Sequence, residues 1–227
     1  VPRKEFVAFN RLDASDVNTY LMDQSVMTFG GTAARASAIT TPVTGMYTHL
    51  TDSPPRLEFW NGTAWRSPFG QTLVSSSTFS AVTQILLDNI FTSEFDNYKI
   101  VGSISGTATT GVNWQLRSGG INLTTNTYLG VVLNGYNTAS STQVTAQGNG
   151  DFGLVRNSTR RAIFEVTLTN PANTFETMAI SNVYDPSANG LAYCNFQNTS
   201  TLAYDGIRIF AASGTFTGKF EVYGLRK

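Results

Sequence analysis

Ala162-Ile-Phe-Glu-Val-Thr-Leu168 and Gly218-Lys-Phe-Glu-Val-Tyr223 are the stretches that decide the fold. In the first, Phe164 and Val166 alternate with Glu165, which predicts a half-buried strand with Glu165 facing solvent. The same period of two recurs in residues 98–105, 112–117, 128–133, 177–181, 191–196 and 206–211, and most of these runs are bounded by Gly, Asn, Ser, Asp or Pro. Short strands with turn signals every ~10 to 15 residues, and no long helical run between them, argue for an antiparallel sandwich. A jelly roll is the expected topology.

Within this region, Gln84-Ile-Leu-Leu-Asp-Asn-Ile-Phe91 is open between a buried strand and a turn or two of helix. Phe91, Phe95 and Tyr98 gather at the Asp96-Asn97 corner and read as a core-closing turn. The Gly/Ser/Thr-rich segments 106–111, 135–150 and 195–201 read as exposed loops that could contact a target. The uncharged, serine-rich segment 67–77 places a module boundary at about residue 72. The expectation is therefore a mainly β protein: residues 1–72 form an attachment and oligomerisation module of short helices and a β-hairpin, and residues 73–227 form the jelly-roll-like sandwich.

The first module begins with an arm, residues 1–11, in which Phe6 and Phe9 are the large aromatic groups. Asp13 is a candidate N-cap, followed by an apolar stripe of Val17, Tyr20, Leu21 and Met27 at helical spacing. A helix so short is marginal alone, so the stripe needs a partner surface. Thr32-Ala-Ala-Arg-Ala-Ser-Ala-Ile39 predicts a second helix that ends before Pro42. Then Met46, Thr48 and Leu50 alternate with Tyr47 and His49, and Arg56-Leu-Glu-Phe-Trp60 joins Ala64-Trp-Arg66 across Asn61-Gly62, a strong hairpin signal.

Gln24-Ser-Val-Met-Thr-Phe29, Ala34-Arg-Ala-Ser-Ala-Ile39, Pro42-Val-Thr-Gly-Met46, Leu50-Thr-Asp52 and Leu57-Glu-Phe-Trp-Asn-Gly-Thr-Ala-Trp65 together resemble the N-terminal module of tailed-bacteriophage virion proteins. The family is that of tail-fibre and minor tail proteins of actinobacterial phages. Phe91-Thr-Ser-Glu-Phe-Asp-Asn-Tyr98 and Phe216-Thr-Gly-Lys-Phe-Glu-Val-Tyr-Gly224 are similar to β-rich distal domains of such proteins. The resemblance implies attachment and oligomerisation, with Val17, Tyr20, Leu21, Met27, Phe29, Trp60 and Trp65 as the candidate contact residues. It implies a homotrimer that meets other virion proteins through its first module. Host cell-surface carbohydrate is the expected target, and a capsid decoration protein or head fibre is the alternative reading.

Composition narrows the chemistry. Charged residues are 13% of the 227, and the formal net charge is zero, so nothing suggests a phosphate-binding surface and no nucleic-acid partner is expected. No run of ~18 apolar residues could span a membrane, no secretory leader is evident, and a soluble product is expected. With one histidine, His49, and one cysteine, Cys194, neither a His-based triad nor a His/Cys metal cluster is expected, and no cofactor is expected. Cys194 alternates with Ala192 and Phe196, as a core side chain would. Calcium could use Asn149, Asp151, Asp185 or Asn189, but no EF-hand pattern supports it.

Glu94, Asp96, Asp151, Glu165 and Glu176 are the carboxylates from which a spike glycan hydrolase, a third reading, could draw a pair. Arg156, Arg160 and Arg161 form the densest basic cluster and read as a solvated loop or a contact for an anionic glycan. The Asn-x-Ser/Thr sequons at Asn61, Asn122, Asn157 and Asn198 carry little weight in a chain so rich in these residues.

Overall fold

The computed structural model describes residues 11, 13–17, 25–53, 55–107, 110–125, 127–136, 138–155, 161–185 and 190–225. The chain divides into two compact units, Val1–Thr72 and Leu73–Lys227.

The first unit contains α1 (Ala14–Val17), β1 (Met27–Phe29), α2 (Thr32–Ala38), β2 (Tyr47–Leu50), β3 (Arg56–Trp60) and β4 (Trp65–Arg66). Its sheet runs β1-β2-β3-β4, and β1 lies parallel to β2, with Met27 opposite Thr48 and Phe29 opposite Leu50. Parallel neighbours need a crossover, and α2 supplies it. Met27 is thus a strand residue rather than the end of a helical stripe. The described helix stops at Val17, and Tyr20 and Leu21 lie outside the described residues.

Met46, Thr48 and Leu50 are buried while Tyr47 is exposed and His49 half-buried, following the alternation in sequence. The hairpin between β3 and β4 pairs Trp60 with Trp65, so its loop is the four residues 61–64 rather than a two-residue turn. Gly62 alone takes positive φ there, and the Asn61 Oδ1 accepts from the backbone N–H groups of Thr63 and Ala64 at 3.0 and 2.8 Å. The side chain of Asn61 thus closes the loop in place of a second left-handed residue.

The second unit has β5 (Gln71–Val82), β6 (Gln84–Leu87), β7 (Asn97–Gly106), β8 (Thr110–Ser118), β9 (Ile121–Asn122), β10 (Tyr128–Tyr136), β11 (Thr138–Gln147), β12 (Gly150–Val155), β13 (Ala162–Thr169), β14 (Thr177–Asp185), β15 (Gly190–Asn198), β16 (Gly206–Ala211) and β17 (Phe216–Leu225). One sheet runs β11-β10-β15-β14-β13-β7-β17-β5, and the other β12-β8-β16-β6 with β9 beside β8. Eight of these strands follow jelly-roll order: β5-β17-β7-β13 in one sheet face β6-β16-β8-β12 in the other, as two Greek keys. The strands β14, β15, β10 and β11 continue the first sheet past β13 and form an extension of the jelly roll. Among the described residues, the pairings within β7, β8 and β10–β17 are antiparallel.

Between the sheets, Tyr98, Ile100, Ile104, Trp114, Leu116, Phe164, Leu168, Ile207, Phe216 and Phe220 are fully or almost fully buried. The aromatic corner closes this core as expected: Phe91 and Phe95 pack edge-on against Tyr98 at 4.8 and 5.8 Å. The Tyr98 hydroxyl accepts from the Thr92 amide at 2.6 Å and donates to the Thr92 carbonyl at 3.0 Å. Cys194 is buried between Ala192 and Phe196 on the inner face of β15.

Two segments read as loops are largely strand, and a third is so in part. Residues 135–147 belong mainly to the β10–β11 hairpin, β15 extends to Asn198, and in 106–111 Gly106 ends β7 while Thr110 and Gly111 begin β8. The segment 84–91 forms the short strand β6 followed by a turn, and β5 begins at Gln71, inside the serine-rich segment 67–77.

Candidate interaction surfaces

The outer face of the long sheet has two halves of opposite character. Strand alternation turns Leu129, Val131 and Leu133 of β10 outward while Tyr128 and Val132 point in. On β15 the outward residues are Leu191, Tyr193, Asn195 and Gln197, and on β14 Met178, Ile180, Asn182 and Tyr184. Register sets them in rows across the strands: Val131, Asn195 and Ile180 in one, Leu133, Tyr193 and Asn182 in the next, and Leu191, Tyr184 and Ile163 of β13 in a third. Ile163 is 57% exposed, Leu191 53% and Ile180 46%. None of these residues carries a charge.

From β13 onward the face becomes ionic. Lys99 on β7 pairs with Glu165 on β13 at 2.8 Å, which confirms that Glu165 faces outward. On β17 the Lys219 ammonium meets the Glu221 carboxylate at 2.5 Å, and the Tyr223 hydroxyl donates to the same carboxylate at 3.1 Å. Lys219 and Tyr223 together hold the Glu221 carboxyl below the usual carboxylate range.

At one end of the apolar half, Asn170, Phe175, Glu176, Met178 and Thr201 line an open depression of about 380 Å³. Phe175 is 66% exposed, a large aromatic ring offered to solvent. The Gln197 amide donates to the Glu176 carboxylate, fixing that group at the rim. An exposed ring flanked by amide and carboxylate oxygens can stack on the C–H face of a sugar and accept from its hydroxyls, a polar tip and an apolar body in one small site.

In the first unit, Trp60 and Trp65 meet each other at 5.5 Å and are half-buried. Arg35 lies buried under α2, its guanidinium 4.3 Å from the Trp65 ring. It donates to the Glu58 carboxylate and to Thr48 Oγ1 at 3.3 Å, and Glu58 in turn accepts from Arg56 Nε at 3.0 Å. Arg56 reaches Asp52 at 2.8 Å. An ion-pair chain therefore supplies much of this small unit's interior, and Trp65 is engaged within it. Met27 and Phe29 are half-buried in β1, and Val17 is half-buried at the end of α1.

Asn173 donates to Asp96 at 3.3 Å, and Arg117, buried, pairs with Asp88 at 2.5 Å while donating to Asn122 and to the Gly120 carbonyl. Arg208 spans Gln84 and Gln115 at 2.7 and 3.0 Å, so both arginines tie the second sheet together. Arg161 is exposed; Arg156, Arg160 and Asn189 lie outside the described residues, as do the side chains of Asp151 and Asp185. Among the described residues no group of three or more His, Cys, Asp or Glu is placed to hold a metal ion. No described helix is long and apolar enough to cross a membrane.

Together these elements define an extended jelly-roll fold with an open, shallow depression and an uncharged, partly apolar sheet face. No protein-family model and no curated protein matches the sequence. Among solved structures, a protein of unknown function from Shewanella oneidensis MR-1 matches at 11% identity over 88% of this chain and 97% of that one. Its TM-score of 0.19 carries no inference about fold or function.

Proposed function

We propose that the chain is a non-enzymatic structural protein of a bacteriophage virion, a tail-fibre or tail-tip protein that mediates adhesion to the host surface. Residues 1–72 attach it to other virion proteins, the jelly roll is presented to the host, and the working form is a homotrimer. The supporting observation is the depression of Asn170, Phe175, Glu176, Met178 and Thr201, which is open and suited to a sugar. Three of the five carboxylates considered for hydrolysis have structural company: Glu165 has Lys99, Glu176 has Gln197 and Asp96 has Asn173.

Binding of the purified chain to actinobacterial cell-envelope polysaccharide tests this reading. The chain is expected to bind, and Phe175→Ala is expected to weaken binding about tenfold or more, the loss of one stacked ring. Absence of binding, equal binding by the variant, or release of reducing ends from the polysaccharide would each contradict it.

A further inference from the structure

The apolar half of the long sheet's outer face calls for a partner, and we infer that the partner is a second copy of this chain, which covers β10, β15 and β14 in a closed homo-oligomer. The inference stands independently of the virion reading, and it places the main subunit contact on the sheet rather than on the N-terminal segment.

Three features of the face support it. The first is size: Leu129, Val131, Leu133, Ile163, Ile180, Tyr184, Leu191 and Tyr193, clear of the depression, are all exposed. Together they expose on the order of 700 Å², close to the ~800 Å² each partner contributes to a standard stable interface, whereas the largest apolar patch on a monomer is roughly 300 to 600 Å².

The second is charge. The outward positions of β10, β14 and β15 alternate apolar side chains with Asn182, Asn195 and Gln197, all neutral. A face without charge is complementary to itself: its copy brings no repulsion, and the amides of Asn182 and Asn195 can pair across the contact. Apart from Glu176 at the rim of the depression, a strongly acidic or basic partner would meet charge among the described residues of this face only at Lys99, Glu165, Lys219 and Glu221 on the other half.

The third is placement. The apolar rows lie on the strands that extend the jelly roll past β13, whereas the outer face of the jelly-roll strands β7 and β17 carries ion pairs. The inward residues of the same strands, among them Tyr128, Val132, Ala179, Val183, Ala192 and Phe196, are already buried. These strands are thus apolar on both faces, the pattern of a sheet covered on both sides. Such faces can be covered by copies of themselves, three of them converging on a threefold axis with each face meeting its two neighbours.

The test is solution mass by light scattering on the full chain at micromolar concentration, for the parent, for Ile180→Lys with Val131→Lys, and for Leu21→Asp. Both lysines fall on exposed positions in one row, so circular dichroism should show the variant folded. The parent is expected at two or more times the chain mass. The double variant is expected as a monomer, its dissociation constant raised at least about a hundredfold by desolvated like charges, and Leu21→Asp is expected to remain oligomeric. A monomeric parent would overturn the inference and leave the face to another partner. An oligomer that survives the lysines but is lost with Leu21→Asp would place the contact on the N-terminal segment and overturn it equally. Should the lysine variant fail to fold, Ile180→Gln with Val131→Thr gives the same reading without introducing charge.

Discussion

Gly150 and Trp114 face one another across the β12–β8 ladder with no room for a side chain between them: a Cβ on Gly150 would stand 2.1 Å from Cε2 of the indole. Trp114 is wholly buried and packs edge-on against Tyr128 at 5.2 Å and Phe196 at 6.3 Å. The indole therefore joins the second sheet to the strands that extend the first. Gly150→Ala must displace the ring or the strand and is expected to cost about 2 kcal/mol or more. At Gly111, where an added Cβ meets nothing within 4 Å, the same change should stay within about 0.5 kcal/mol. Urea denaturation of both variants checks this, and equal effects would show that the sheet yields freely at Trp114.

The buried pair of Arg35 and Glu58 gives a prediction specific to the first unit. Arg35→Met leaves the Glu58 carboxylate buried with only Arg56 beside it, an expected cost of about 3 to 5 kcal/mol. Adding Glu58→Leu should recover most of that loss, because an apolar pair avoids the desolvation of two charges. Hydrogen exchange of the β2 and β3 amides reads the local opening. A single variant as protected as the parent would mean that the ion-pair chain contributes little.

Alkaline pH should destabilise the second unit. Burial pushes the hydroxyls of Tyr98, Tyr128 and Tyr204 above the ordinary tyrosine value, that of Tyr128 most strongly. The unfolded chain then loses these protons before the folded one, so their stabilising contribution is complete below pH ~10 and is lost as pH rises beyond it. The unfolding midpoint in urea should be flat with respect to these groups from pH ~7 to 9 and fall above ~10. Tyr128→Phe should flatten the fall. It should also lower stability at neutral pH by about 1 to 3 kcal/mol, because the Leu116 amide, which donates to the Tyr128 hydroxyl at 2.8 Å, would lose its acceptor. A midpoint unchanged at high pH would contradict this account of the tyrosines.

The strands legible in sequence are mostly interior ones. Ala162-Ile-Phe-Glu-Val-Thr-Leu168 shows its period because β7 and β14 flank it and its inner face is fully covered. The strands missed in the second unit, β5, β9, β11 and β12, lie at sheet edges, as does the ambiguous β6. Gln71–Val82 and Thr138–Gln147 are rich in Ser and Thr, and an edge strand of that composition is defined by its ladder partner rather than by an apolar period. Met27 escaped because its strand exists only through a parallel partner beyond α2.

The surfaces were hidden for a different reason. Leu191-Ala-Tyr-Cys-Asn-Phe196 is apolar at both parities, so sequence marks it as strand without saying which face is covered. Phe175 and Thr201 meet only because β14 and β15 are neighbours that bring the start of one beside the end of the other.

Copy number and position on the particle test the central claim most directly, by quantitative mass spectrometry of purified virions combined with particle reconstruction. A tail adhesion protein is expected in few copies, in a multiple set by its oligomer, with density at the tail end. Dozens to hundreds of copies on the head lattice, or no copy in the particle at all, would contradict it.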